Sequence, residues 1–329
     1  MFLCVKNYTQ SSTFNINLHH LYGEKTTIIM KDRTALEYYV LDVFSNKSYK
    51  GNPLSVVFTD GNLELETYHN IAKEFGYSET SFVYYSPIQK ALNVRSFTPT
   101  GFEVDGAGHN LLGAVCAALF KKISIFHEQN ETHHFVIMKD NPIPLTTSFD
   151  PVTEYPVVQM HQKPAVALKE VPASLIAKAL GLAIDDLTIG ELLPTIVQTE
   201  VAHIMVPIKN RRFLHDCIPD NKRLVEISKE YGFEGFYCFT IFDEKHENIV
   251  EARFFNPLIG IDEDAATGTA AGPLIGFLTK TKYTKPNTEY KILQGVKLNQ
   301  PSLIEVMSRD NDILVGGSAV ITMKGELYV

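Results

Sequence analysis

The chain of 329 residues has no tryptophan and few cysteines, which stand at positions 4, 116, 217 and 238. The cysteines form no Cys-x-x-Cys pair, and the 11 histidines form no His-Glu-x-x-His motif. The spacings of a structural zinc site and of a metalloprotease are therefore missing, and we expect no metal. Such cysteine usage predicts a reduced, cytoplasmic protein whose thiols are mostly buried as small apolar groups.

Long apolar runs and excess positive charge are also missing. No stretch approaches the roughly 20 apolar residues that cross a bilayer. The formal net charge of −8 disfavours nucleic-acid and anionic-membrane partners, because both bind basic surfaces. Gly106-Ala107-Gly108 is not a Gly-x-Gly-x-x-Gly loop, and no Gly-Lys-Ser/Thr motif occurs. We therefore expect no cofactor, and a small molecule as the partner.

The first 34 residues differ in composition from the rest. They are rich in serine, threonine and asparagine, and they have neither the basic start and apolar core of a secretory signal nor the arginines of a mitochondrial presequence. We expect a disordered or poorly packed extension, or an upstream start with Met30 as the alternative beginning. A targeting segment is the other explanation.

From residue 37 the pattern alternates between short strands and helices. Period-two and helical spacings predict elements in the first half at Tyr38–Phe44, Leu54–Phe58, Leu63–Phe75 (helix), Ser81–Tyr85, Leu92–Phe97 and His109–Phe120 (helix). In the second half they predict Ala202–Pro207, Asp220–Tyr231 (helix), Phe236–Phe242, Val250–Phe255 and Thr267–Leu278 (helix). The tail from Tyr290 is predicted to hold three or four strands, with a turn at Gly316-Gly317 among those that separate them.

The two halves repeat one another. Arg95-Ser-Phe-Thr-Pro99 resembles Arg253-Phe-Phe-Asn-Pro257, 158 residues later, and the glycines that open the two apolar helices are 160 residues apart. The ordered series predicts an N-terminal lobe over residues 36–160 and a C-terminal lobe over 161–329, and the last strand can return to the first lobe. A cleft between two such lobes is the expected binding site.

Two glycines precede the first apolar helix, and a histidine is its first residue. Gly106 and Gly108 let the backbone approach a ligand closely, and the helix start directs unpaired N–H groups at an anion. His109 could donate to a substrate carboxylate or pass a proton. A tight strand-to-helix turn, with His109 satisfied by backbone groups, explains these residues equally well.

The corresponding segment of the second half carries Asp264, Thr267, Gly268 and Thr269. Asp264 and Thr267 are typical helix-capping residues, and the segment taken alone is better explained as a cap than as a site. If the repeat is symmetric, however, both helix starts converge on one cleft. That arrangement favours a substrate with a carboxylate.

Glu79 lies between the end of the first predicted helix and an apolar strand. Burial there should raise the pKa of its carboxyl toward the range of a useful base. A polar surface turn is the simpler explanation of Ser78 and Glu79 when they are considered alone.

Together these segments resemble the phenazine-biosynthesis PhzF-like family. The matching segments occur in the family's order: Gly51–Leu54, Ser78–Thr80, Thr98–Thr100, Gly108–His109, Glu263–Thr269, Gln294–Gly295 and Gly316–Ala319. The resemblance implies the diaminopimelate-epimerase-like fold, an α+β architecture of two pseudo-symmetric lobes, each a curved, mostly antiparallel sheet around a central helix. It also implies a cofactor-independent biosynthetic isomerase that is often a homodimer. The family's characterised member isomerises a dihydro-hydroxyanthranilate.

The resemblance also implies a role for each matching residue. Glu79 corresponds to the catalytic acid/base, which takes a proton from one carbon and returns it to another. His109 and Asp264 correspond to catalytic cleft residues that bind the substrate and assist the transfer. The expected substrate-binding residues are Gly108, Gly268, Thr269 and Asn52.

Some positions depart from the family's pattern. Related epimerases use two cysteines at the helix starts, and this chain has none near either start. Gln300 replaces a common arginine, and Gly106 replaces a bulkier residue and could widen the cleft. Pro273 should kink the second apolar helix or mark a late start.

Three functions follow from the sequence. We favour an isomerase in which Glu79 moves a carbon-bound proton on a small carboxylate. The alternatives are a non-catalytic small-molecule or protein-binding member of the fold and an amino-acid racemase or epimerase that uses Glu79 and a second base.

Overall fold

A computed structural model describes residues 33–104, 106–123, 133–242 and 249–329, so nearly all of the predicted extension lies outside the described residues. The described residues form six α-helices: α1 Leu65–Phe75, α2 His109–Phe120, α3 Ala173–Leu180, α4 Arg211–Asp216, α5 Asn221–Tyr231 and α6 Gly268–Lys280. They form sixteen strands: β1 Ala35–Val43, β2 Asn52–Phe58, β3 Thr80–Ser86, β4 Ala91–Phe97, β5 His133–Met138, β6 Asn141–Phe149, β7 Pro156–Gln162, β8 Val166–Glu170, β9 Thr195–Gln198, β10 Ala202–Pro207, β11 Phe236–Ile241, β12 Val250–Asn256, β13 Ile261–Asp264, β14 Glu289–Gln294, β15 Ser302–Ser308 and β16 Ile313–Tyr328.

The first seven strands and the last one close into a ring. Strands β1 to β7 are neighbours in chain order, and β16 pairs antiparallel with both β7 and β1. The apolar helix α2 packs inside this ring against β1, β2, β7 and β16. Every residue from His109 to Leu119 is buried, which explains why α2 is apolar on all sides.

The second set of strands curves around α6. From β16 the sheet continues through β15, β14, β12, β11, β10 and β9 to β8, and β13 pairs with β12. Helix α6 packs against β15, β16 and β10. Because β16 pairs with β15 at one end and with β1 at the other, both sets share this one strand. The expected boundary at residues 160 and 161 falls within β7.

The sequence repeat corresponds to a structural repeat. In the first half β2 and β3 are parallel and joined by α1, and in the second half β10 and β11 are parallel and joined through α5. The guanidinium of Arg95 forms two hydrogen bonds to Glu103, at 2.7 and 2.9 Å. Arg253 binds Glu263 in the same way, at 2.9 and 2.8 Å. The architecture is therefore α+β with pseudo-symmetric halves, as the sequence predicts.

The predicted glycine turn is wrong, and one of the two explanations of Pro273 is excluded. Gly316 and Gly317 form no turn and lie within β16. A Cβ on Gly317 would lie 2.9 Å from Cδ1 of Phe44, so the pair serves close packing and not chain reversal. Helix α6 begins at Gly268 and contains Pro273, so the proline marks no late start.

Candidate active site

Glu79 lies in a short connection whose two ends are firmly held. Helix α1 is capped at its C-terminus by Gly76, whose φ of 68° is the left-handed conformation that favours glycine. At the other end, Thr80 shares a hydrogen bond of 2.7 Å with Ser55 on the neighbouring strand. These contacts fix the backbone position from which the Glu79 side chain projects.

The carboxylate of Glu79 meets the imidazole of His109. Oε2 of Glu79 lies 2.9 Å from Nε2 of His109, and only 15% of the Glu79 side chain and 9% of the His109 side chain are exposed. The hydroxyl of Ser78 lies 3.3 Å from the same nitrogen and 3.5 Å from the same carboxylate oxygen. Nε2 of His109 is therefore paired with side chains, and not with the backbone groups that the alternative explanation of this residue requires.

The expected direction of the Glu79 pKa is wrong. Burial does raise the pKa of this carboxyl, but the charge and hydrogen bond of His109, together with the Ser78 hydroxyl, outweigh burial and lower the pKa. Burial lowers the pKa of His109, and the negative charges of Glu79 and Asp264 reverse that effect and raise it. The pair therefore favours a carboxylate beside an imidazolium.

Asp264 ends strand β13 and belongs to the other half of the molecule. Its Oδ1 accepts a hydrogen bond of 2.9 Å from Nδ2 of Asn52, and its Oδ2 accepts one of 2.6 Å from the hydroxyl of Thr267. The pKa of Asp264 is raised, because burial outweighs the opposing effects of His109, Thr267 and Asn52. Neither Asp264 nor Thr267 caps α6 through its side chain, because the Thr267 hydroxyl donates to Asp264. Asn52 holds Asp264 across the two halves.

The starts of α2 and α6 converge, as the repeat predicts. A Cβ on Gly268 would lie 3.8 Å from Cα of Gly108, and a Cβ on Gly106 would lie 3.9 Å from Cγ2 of Thr269. The charges of Glu79, His109 and Asp264 all act on one another at this junction. The structure thus brings together every residue that the sequence predicts for the site.

The first helix start is arranged around Asn110. Its Oδ1 accepts from the N–H groups of Gly108 at 2.8 Å and Leu111 at 2.9 Å, while its Nδ2 donates to the carbonyl of Gly106 at 3.1 Å. The N–H group of Gly108 is therefore already used within the site, since Asn110 accepts it. Within the described ranges, the N–H groups of His109 and Asn110 have no hydrogen-bond partner.

At the second helix start Gln294 takes the place of Asn110. Its Oε1 accepts from the N–H group of Thr267 at 3.2 Å. The N–H groups of Gly268 and Thr269 have no partner among the described residues. Each helix start therefore presents two adjacent backbone donors at the junction, which is a suitable arrangement for an anion.

No role for Asn110 is predicted from the sequence, and Gln294 is part of the matching segment Gln294–Gly295 without a predicted role of its own. Their amides act through backbone groups, which leave no pattern of residue types in the sequence. For Asn110, the one signal in the sequence is its position two residues after Gly108 at the predicted helix start.

None of the cysteines in the described part of the chain is among the residues that form this junction. Cys116, Cys217 and Cys238 are buried, and burial raises the pKa of each thiol. In the part of the chain that the structure describes, no cluster of three or more histidine, cysteine or acidic side chains could hold a metal ion. The same residues include no helix that is long and apolar enough to span a membrane.

Comparisons with known proteins identify the family. A family model described as phenazine biosynthesis-like protein matches residues 41–325, which is most of the chain. The chain belongs to this family. An uncharacterized isomerase of Escherichia coli K12, YddE, is 32% identical over 88% of this chain and 97% of its own length. The trans-2,3-dihydro-3-hydroxyanthranilate isomerase of Pseudomonas aeruginosa is 26% identical over 89% of this chain and 99% of its own length.

The fold is that of solved members of the phenazine biosynthesis-like family. The structure of a PhzF-family protein from Bacillus anthracis superimposes with a TM-score of 0.78 over 90% of this chain and all of that chain, at 23% identity. The fold is therefore diaminopimelate-epimerase-like, and the chain is an isomerase of this family.

Proposed function

We propose that this isomerase moves a proton between two carbons of a small carboxylate, with Glu79 as the acid/base. The observation that carries the proposal is the Glu79–His109 pair, with 2.9 Å between Oε2 and Nε2, beside two converging helix starts. An acid/base so close to backbone N–H donors can act on a substrate that those donors hold.

Binding would place the substrate carboxylate at the helix starts. Four backbone donors, those of His109, Asn110, Gly268 and Thr269, have no partner among the described residues. A helix start stabilises an anion by about 0.3–1 kcal/mol when exposed, and by more when it is shielded from water. Neutralising the carboxylate in this way would also acidify the neighbouring C–H bond.

The proton transfer would begin from the ionised form of Glu79, which the low pKa favours at neutral pH. The C–H bond breaks, its proton bonds to a Glu79 oxygen, and the electron pair delocalises into the substrate's unsaturated system. Protonated Glu79, or His109, then gives a proton to a different carbon. No atom is gained or lost in this sequence. Positioned acid–base catalysis of this kind contributes typically 10²–10⁴-fold to the rate.

Deuterium uptake from D₂O tests this assignment. A panel of small unsaturated and aromatic carboxylic acids, including trans-2,3-dihydro-3-hydroxyanthranilate, is incubated with the enzyme and followed by NMR. For whichever acid exchanges, Glu79→Gln should reduce the rate by at least about 10²-fold because the base is removed. Glu74→Gln, at an exposed position of α1, is the matched control and should leave exchange unchanged. Undiminished exchange in Glu79→Gln would contradict the proposal.

Family likeness also supports a cytoplasmic homodimer, and we include this assembly in the proposal. Light scattering during size-exclusion chromatography should give twice the chain mass of 36.9 kDa. A mass of one chain at micromolar concentration would exclude a stable dimer.

A further inference from the structure

Gln294 is fully buried and uses all of its hydrogen-bonding capacity beside Asp264. Its Oε1 accepts from the hydroxyl of Tyr237 at 2.9 Å and from the N–H group of Thr267 at 3.2 Å. Its Nε2 donates to the carbonyl of Asp264 at 2.9 Å and to the hydroxyl oxygen of Thr267 at 3.0 Å. Four hydrogen bonds thus connect β11, β13, β14 and the start of α6.

Two backbone groups determine which way the Gln294 amide points. The N–H group of Thr267 can only donate, so it must face Oε1, and the carbonyl of Asp264 can only accept, so it must face Nε2. The reverse orientation of the amide would place two donors together and two acceptors together.

The direction of the amide then determines the direction of the Thr267 hydroxyl. The Thr267 oxygen accepts a hydrogen bond from Nε2 of Gln294, so the single hydroxyl proton must point to another acceptor. That acceptor is Oδ2 of Asp264, which lies 2.6 Å away. Asn52 behaves similarly: the carbonyl of Ala266, at 3.2 Å, requires that Nδ2 be the atom that faces Oδ1 of Asp264. Both carboxylate oxygens of Asp264 therefore face donors whose direction is fixed.

We propose that Gln294 is a positioning residue that acts through Thr267 to hold the carboxylate of Asp264 as an oriented hydrogen-bond acceptor. The inference deepens the proposed function, on which it rests for the role of Asp264 in the cleft. An acceptor of this kind suits a substrate that carries an N–H or O–H donor in addition to its carboxylate. Tyr237, Gln294, Thr267 and Asn52 are each more than nine-tenths buried, so water does not compete for these hydrogen bonds.

Other groups also influence the ionisation of Asp264. His109 at the start of α2 favours the charged carboxylate, and Glu79, ahead of β3, opposes it. Tyr237 on β11 is neutral, since burial raises the pKa of its phenol far above the ordinary value. Variants at positions 267 and 294 leave these three groups in place, so they isolate the contribution of the hydrogen-bond chain.

The test is a carboxyl ¹³C NMR titration of Asp264 in the full chain without substrate, with the signal assigned by its loss in Asp264→Asn. Thr267→Val removes the directed donor and should raise the pH midpoint of Asp264 by about one unit, a tenfold gain in proton affinity. Thr267→Ser keeps the hydroxyl and should keep the midpoint. Gln294→Met should raise the midpoint when Thr267 is present and add nothing in the Thr267→Val background.

Two results would overturn the inference: an unchanged midpoint in Gln294→Met, or an equal shift with and without the Thr267 hydroxyl. Ser228→Ala, at a buried serine whose hydroxyl donates to the carbonyl of Glu234, controls for general loss of stability and should not move the midpoint. Because no substrate is used, the result does not depend on the deuterium-exchange experiment with Glu79→Gln. A failure of the positioning role of Gln294 can therefore be distinguished from a failure of the proposed function.

Discussion

The charge state of Glu79 illustrates how one neighbouring residue can reverse the effect of burial. A carboxyl that is mostly shielded from water should be a stronger base than one in solution, and the sequence supports that expectation. The nearby imidazole changes the balance, because an opposite charge at 2.9 Å favours the ionised carboxylate. The pair thus favours the ionised form of Glu79, which is the form that the proposed proton transfer requires.

The pair should also give the protein a pH-dependent stability. The pKa of Glu79 is lowered from 4.5, so its contribution is present above pH 4.5 and is lost as the pH falls through the folded-state value. The pKa of His109 is raised from 6.5, so its contribution is complete below pH 6.5 and is lost as the pH rises through the folded-state value. Urea denaturation of the wild type and of His109→Gln should therefore differ most between pH 4.5 and 6.5, and a difference independent of pH would contradict this coupling.

At the scale of the element, the two buried helices depend on small residues. Gly113 of α2 faces β1 and β2, where a Cβ would lie 2.5 Å from Cδ2 of Leu54 and 2.7 Å from Cγ2 of Val43. Alanine is a better helix former than glycine by about 1 kcal/mol, so this glycine is explained by packing and not by helix propensity.

Gly113→Ala should therefore destabilise the protein by about 1–3 kcal/mol despite the gain in helix propensity. Leu54→Val shortens the side chain nearest to the new methyl group, and the cost of Gly113→Ala should be smaller in that background. Denaturant titration of the two single variants and the double variant measures the coupling. Strict additivity would show that the overlap with Leu54 is not the cause.

At the scale of the whole molecule, β16 belongs to both sets of strands, the ring around α2 and the set that curves around α6. Residues Ala319–Tyr328 pair with β1 and close the ring around α2, while Ile313–Gly316 pair with β15. The long strand thus couples the packing of α2 to that of the sheet around α6.

Removal of residues 319–329 should therefore open the ring along β1. Hydrogen exchange followed by mass spectrometry should show loss of protection in β1 and in the peptides that pack on α2, because their pairing and cover are removed. A chain that begins at Met30 is the control and should retain native protection. Native protection of β1 in the truncated chain would disprove the closing role of β16.

Much of the fold follows from patterns within short segments. Helix α2 has the bounds His109–Phe120 that its apolar run predicts, and strand β10 has the predicted bounds Ala202–Pro207. The repeat of Arg95 and Arg253 indicated two related halves, and both arginines form the same paired hydrogen bonds with a glutamate. The predicted Gly316-Gly317 turn failed, because a glycine pair in a strand and one in a turn look alike until the opposing side chain is known.

The sequence alone determined the periodicity of the elements, the repeat, the family likeness and the residue types available for chemistry, because each of these follows from the identity and order of the residues along the chain. Only the tertiary structure decided the charge balance and hydrogen-bond directions of the site. Asn52 and Asp264 are 212 residues apart, and Gln294 on β14 contacts Thr267 at the start of α6. Electrostatic and hydrogen-bond energies depend on distance and angle in space, and chain order does not encode either.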